Sequence, residues 1–143
     1  MESFKPQTER TPSFIFPNVR NELGEVERVA QTYHPENPQD FIEKFIVKSA
    51  QSNLSELSDT EWAGLENTDS VEIENGDWVA VGELAESHGR DWKILKTQME
   101  SGGEIEAPIV YKNKDNLHLV SGNTRLMVAK ALGVRPQVLV IEL

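Results

Sequence analysis

Ser121, Gly122, Asn123, Thr124 and Arg125 form one unbroken run between the strand-like His118-Leu-Val and the helix-like Leu126-Met-Val-Ala-Lys-Ala-Leu132. A tight turn at the glycine sets Gly122, Asn123 and Thr124 at a helix N-terminus, with Arg125 in the first turn. Backbone N–H groups there lack intrahelical acceptors, and the helix dipole favours negative charge. A guanidinium beside them supplies paired donors for a phosphate. The chemistry expected of the run is therefore anion binding. Ser121 adds a hydroxyl for a phosphate or a metal, or caps the following helix, and its position allows both. A purely structural turn, with Arg125 paired to a local carboxylate such as Glu142, is the alternative.

The rest of the chain offers less chemistry. His34, His88 and His118 are far apart and lack metal-ligand spacing. His118 alternates with Leu117 and Leu119, which places it on the opposite face of a strand. Gly102-Gly103 has no Lys-Ser/Thr pair after it and is not a P-loop. With no cysteine there is no disulfide, thiolate metal site or cysteine nucleophile. No Ser/His/Asp arrangement stands out.

The elements that must hold the run follow from periodicity and punctuation. Pro108–Lys112 and Leu117–Val120 are strands around a turn at 113–116. Residues 126–132 are apolar nearly all round except Lys130, which predicts a buried helix. Gly133 stops it and Pro136–Leu143 is the closing strand. Trp92, Leu95 and Met99 predict an amphipathic helix over 91–100, closed by Ser101-Gly102-Gly103. Trp78–Val81 is expected as a short strand leading into Gly82-Glu-Leu-Ala-Glu86.

The first half looks helical. Asn37 and Pro38 mark a helix start, and Phe41, Ile42, Phe45 and Ile46 form its apolar stripe. Ser58-Asp-Thr-Glu61 is a capping-box pattern before a short helix carrying Trp62 and Leu65. Asn21–Tyr33 is expected as a further helix, and Phe14–Phe16 as an edge strand. The fold class expected is α+β (α/β), a small mixed sheet packed by helices. Residues 1–20 would form an extended or partly disordered arm, 21–70 a helical extension, and 71–143 the α/β domain, with the acidic, turn-rich Asn67–Asp77 as a linker or hairpin.

The chain has 143 residues, 38% of them hydrophobic, and a formal net charge of −10. That length fits one domain, and the acidity opposes tight nonspecific DNA binding. Residues 108–143 nevertheless carry a net +3 against −13 for the remainder, so the anion-binding run lies in the basic part of an acidic protein. No signal-like or membrane-spanning run is present, and a cytoplasmic protein without a membrane partner is expected.

The run Ser121-Gly-Asn-Thr-Arg-Leu-Met-Val-Ala-Lys-Ala-Leu-Gly133, preceded by Ala107-Pro-Ile-Val-Tyr111 and followed by Val138-Leu-Val-Ile141, resembles the ParB/sulfiredoxin superfamily box. Similarity is good over 105–143, fades towards Asp77 and does not reach the first half. The resemblance implies a nucleotide-phosphate site at Gly122, Asn123, Thr124 and Arg125, a nucleoside triphosphate (ATP or CTP) as ligand and Mg²⁺ with it. Stand-alone members such as the free-serine kinases use an acidic base early in the strand-to-helix segment. By position that base is Glu83 or Glu86, which implies phosphohydrolase or kinase chemistry. ParB proteins have Gly-Glu-Arg-Arg where this chain has Gly122-Asn-Thr-Arg125. They continue into a helix-turn-helix DNA reader, which is not expected here. Sulfiredoxin activity is excluded by the absence of cysteine. The resemblance also implies a phage or mobile-element origin. The alternatives are a ParB-like DNA-binding protein or nuclease, and a noncatalytic protein whose acidic N-terminal half binds a protein partner.

Overall fold

Val138, Leu139, Val140 and Ile141 follow one another without a polar break, the pattern of a strand covered on both faces. The computed structural model, which describes residues 12–143, has both coverings. In chain order the strands are β1 (Ser13–Ile15), β2 (Leu54–Glu56), β3 (Glu104–Glu106), β4 (Ile109–Asn113), β5 (Asn116–Ser121) and β6 (Gln137–Glu142). The helices are α1 (Leu23–Tyr33), α2 (Pro38–Ser49), α3 (Asp59–Ala63), α4 (Trp78–Ser87), α5 (Trp92–Glu100) and α6 (Asn123–Leu132). Residues 1–11, which include most of the expected arm, lie outside the described residues.

The fold is α+β. A four-stranded sheet runs in the order β2-β6-β4-β5, with β4 and β6 parallel and the other pairs antiparallel. β1 and β3 pair in parallel as a separate two-stranded sheet. On one face of the larger sheet Ile109, Tyr111, Val120, Leu139 and Ile141 meet Val26, Val29 and Ala30 of α1 and Phe41 and Phe45 of α2. On the other, Val110, Leu117, Leu119 and Val138 meet Val81 and Ala85 of α4, Met99 of α5 and five residues of α6. Each fully buried Leu, Ile or Phe side chain contributes roughly 1.5–3 kcal/mol, so both layers are needed to offset chain entropy. No helix of the described residues is long and apolar enough to cross a membrane.

Helix starts follow local chemistry. The Asn37 side chain accepts the Asp40 N–H at 3.2 Å with Pro38 at the first position. Ser58 and Glu61 form the reciprocal capping box. Asp91 accepts from Lys93 and Ile94.

Three expectations need correction. Trp78–Val81 is helical, because the Asp77 carboxylate accepts the Ala80 N–H at 3.1 Å and caps α4. A strand would have put Val79 and Val81 on one face; the helix buries Val81 and leaves Val79 73% exposed. Residues 21–70 are more than a helical extension: β2 pairs with β6, and α1 and α2 supply one whole covering layer. Asn67–Asp77 begins against the sheet rather than as a linker. Glu66 exchanges main-chain hydrogen bonds with Leu117 and Leu119 at 2.9 Å, covering the β5 edge.

Candidate functional site

β5 ends in a bulge opposite Ile109 and Val110, and the chain then reverses at Gly122 with φ +111°. That backbone conformation favours glycine. A Cβ would also sit 2.7 Å from Pro108 Cβ, 2.9 Å from Pro108 Cα and 3.2 Å from Arg125 Nη2. The close approach sets the entry of α6, whose first turn receives no side-chain cap. Its N–H groups are therefore left for solvent or an anion.

Ser121, Gly122, Asn123, Thr124 and Arg125 all line one cleft of about 990 Å³. Ile94 and Leu95 of α5 with Leu119 and Val120 of β5 give it an apolar wall. Its charged lining comes from Glu22, Glu25, Arg28, Asp69, Arg90 and Asp91, with His88 beside Asp69. Acids and bases nearly balance there, so any preference for phosphate rests on local donors rather than on a broad positive field.

Arg125 is turned back toward the strand entry. Its Nη1 donates to the Glu106 carbonyl at 2.7 Å and to that of Ala107 at 3.4 Å, and its Nη2 donates to Ser121 Oγ at 3.3 Å. The nearest carboxylate is Glu22, at 3.9 Å. Glu142 is out of reach, because register pairs it with Lys112 at the far end of the sheet from Ser121 and Ile109. Burial lowers the Arg125 pKa from its ordinary value. Glu22 and Glu106 oppose that shift, and the like charge of Arg90 adds to it. Both guanidiniums line the cleft.

Asn123, at the first position of α6, is tied to the preceding loop. Its Oδ1 accepts from Thr68 Oγ1 at 2.7 Å and from the Asp69 N–H at 2.9 Å, while its Nδ2 donates to Asp69 Oδ2 at 3.0 Å. The same carboxylate oxygen lies 3.5 Å from His88 Nε2. Glu83 and Glu86 take no part: both are exposed on α4, away from Val81, Gly82 and Ala85, and neither lines the cleft. With Trp78–Val81 helical, it is the following loop, His88–Asp91, that reaches the site. Sequence reasoning gave Asp69 and Arg90 no role, and weighed His88 only as a metal ligand. Their separation along the chain left no motif to find. Among the described residues, no group of three or more His, Asp or Glu side chains gathers as a metal site.

Comparison with protein-family models, curated proteins and solved structures gives no match to this chain.

Proposed function

We propose that the cleft binds a nucleoside triphosphate, ATP or CTP, with its phosphates against the first turn of α6 and its base against Ile94 and Leu95. Hydrolysis or transfer of the terminal phosphate is the chemistry this binding serves, in the cytoplasm. One observation carries the reading: the five residues singled out by type and spacing line a single cleft, at a helix N-terminus with no side-chain cap. The resemblance to the ParB/sulfiredoxin superfamily supports it. Arg125 contributes mainly by fixing Ser121 and the strand entry, and Arg90 is the more exposed guanidinium.

The donor set suits Mg²⁺ brought in on the nucleotide. Mg²⁺ is commonly held by one or two carboxylates together with substrate phosphates, and Glu22 and Glu25 would supply them from the cleft lining. Bound with the phosphates, it would neutralise charge on their oxygens.

The test is thermal stability of the full chain with ATP, CTP, GTP or ADP, each with Mg²⁺. A ligand at a hundredfold excess over its Kd stabilises by about 2.7 kcal/mol. Arg125→Ala removes structural bonds, so Thr124→Asp is the sharper variant. A first-turn carboxylate favours the helix by about 0.3–1 kcal/mol while occupying the anion position. The expected result is a nucleotide-induced rise in Tm in the wild type that disappears in Thr124→Asp, with no fall in unliganded Tm. No rise with any nucleotide overturns the reading.

A further inference from the structure

Behind the His88–Asp69 pair runs a chain of hydrogen bonds that begins in the core. Trp62 Nε1, on a buried side chain, donates to Ser70 Oγ at 2.9 Å. Ser70 is wholly buried, and its Oγ lies 2.9 Å from Thr68 Oγ1. Each hydroxyl has a single proton. Thr68 therefore gives its proton to Asn123 Oδ1 and takes that of Ser70. Asn123 then clasps Asp69 twice, through its main-chain N–H and its carboxylate, and the carboxylate faces His88. A solvated surface ion pair needs no such support. Here a line of satisfied polar groups runs from a buried tryptophan to a histidine that is 57% exposed and lines the cleft.

The chemistry of the pair is directional. Asp69 Oδ2 lies 3.5 Å from His88 Nε2; a hydrogen bond closed there would hold the imidazole proton on Nε2 and leave the Nδ1 lone pair to accept one. Histidine is the commonest general base. From the geometry we infer that His88 is the general base of a nucleoside-triphosphate hydrolase at this cleft, with Asp69 as its positioning residue; the inference rests on the nucleotide reading above. Water attacks the terminal phosphorus, forming a new P–O bond and passing a proton to His88 Nδ1. The P–O bond to the bridging oxygen breaks with its electron pair, and the nucleoside diphosphate leaves. Inorganic phosphate is the other product, and His88 returns its proton to solvent.

The experiment measures phosphate release from ATP and CTP with Mg²⁺ by the full chain, alongside the nucleotide-induced rise in Tm. His88→Ala is expected to keep the rise in Tm and lose about a hundredfold or more in rate, the lower end for a lost general base. Added imidazole should restore part of that loss. Asp69→Asn should lower kcat with little change in KM and gain nothing from imidazole. Undiminished release in His88→Ala, or a loss that imidazole does not relieve, overturns the assignment. A rise in Tm without phosphate release in the wild type overturns it too, and leaves nucleotide binding standing. No rise in Tm removes the binding reading itself.

Discussion

The two faces of the four-stranded sheet are covered in different ways. Over Ile109, Tyr111, Leu139 and Ile141, α1 and α2 close with aromatic rings. Phe41 and Phe45 stack at 5.8 Å between centroids, and Tyr111 meets Phe41 edge-on at 5.1 Å. Over Val110, Leu119 and Val138 the covering includes α6, whose N-terminal end stands beside an open cleft. Polar contacts there do what rings do on the closed face. Lys130 Nζ donates to the Val71 carbonyl at 3.0 Å and lies 5.2 Å over the Trp62 ring, and Asn123 ties down the loop at 68–69. Apolar packing gives area without direction, whereas hydrogen bonds fix where particular atoms point. A face that must orient a ligand needs the second kind.

The largest expected effect breaks the closed face. Phe45 is fully buried, and Phe→Ala in a core costs about 3–5 kcal/mol. Phe45→Ala should therefore lower Tm strongly. At temperatures where the variant remains folded, the nucleotide-induced rise in Tm should persist. Loss of both together would mean that the two faces are not separable. Gly122→Ala is the matching break on the open face and should be the next largest. The left-handed conformation costs a non-glycine residue about 1–2 kcal/mol, and overpacking against Pro108 adds roughly 1–3 kcal/mol. Displacing the α6 entry should also abolish the nucleotide response, so this variant separates from Phe45→Ala by function more than by stability.

The same contrast explains what the sequence could reveal. The starts of α2 and α3, the buried helix α6 and the strands around it rest on contacts a few residues apart, and their side-chain patterns name them. The three-residue strands β2 and β3 have no such pattern and exist because β6 and β1 lie beside them. Trp78-Val-Ala-Val81 carries strand-like residues, and only the Asp77 cap and the stacking of Trp78 on Trp92 at 5.7 Å make it a helix. The Ser121–Arg125 run was legible because turn, helix start and arginine are contiguous. The direction of the arginine was not, since the Glu106 and Ala107 carbonyls reach it through the fold. Asp69, His88 and Arg90 meet that run only through tertiary structure.

The smallest expected effect sharpens the comparison with a proton. His118 stands on the side of β5 facing α1, where its Nδ1 and the Tyr33 hydroxyl share a hydrogen bond at 3.3 Å and the rings meet edge-on at 5.4 Å. Burial lowers the His118 pKa from its ordinary value of 6.5, against an opposing pull from Glu66. Burial also raises the Tyr33 pKa, with Glu66 adding to it, so the phenol stays neutral beside the imidazole. The sign follows from linkage. Below about 6.5 the unfolded chain takes up a proton at this residue that the folded protein resists. The stability from neutral His118 is thus present above that pH and is lost as pH falls through the folded value. Denaturant midpoints measured from pH 7.5 down to 5 should decline in the wild type. They should decline less in His118→Phe, which keeps a ring against Tyr33 and has nothing to titrate. An equal decline in both proteins would show that protonation at this closed face is not what the acid limb of stability reads.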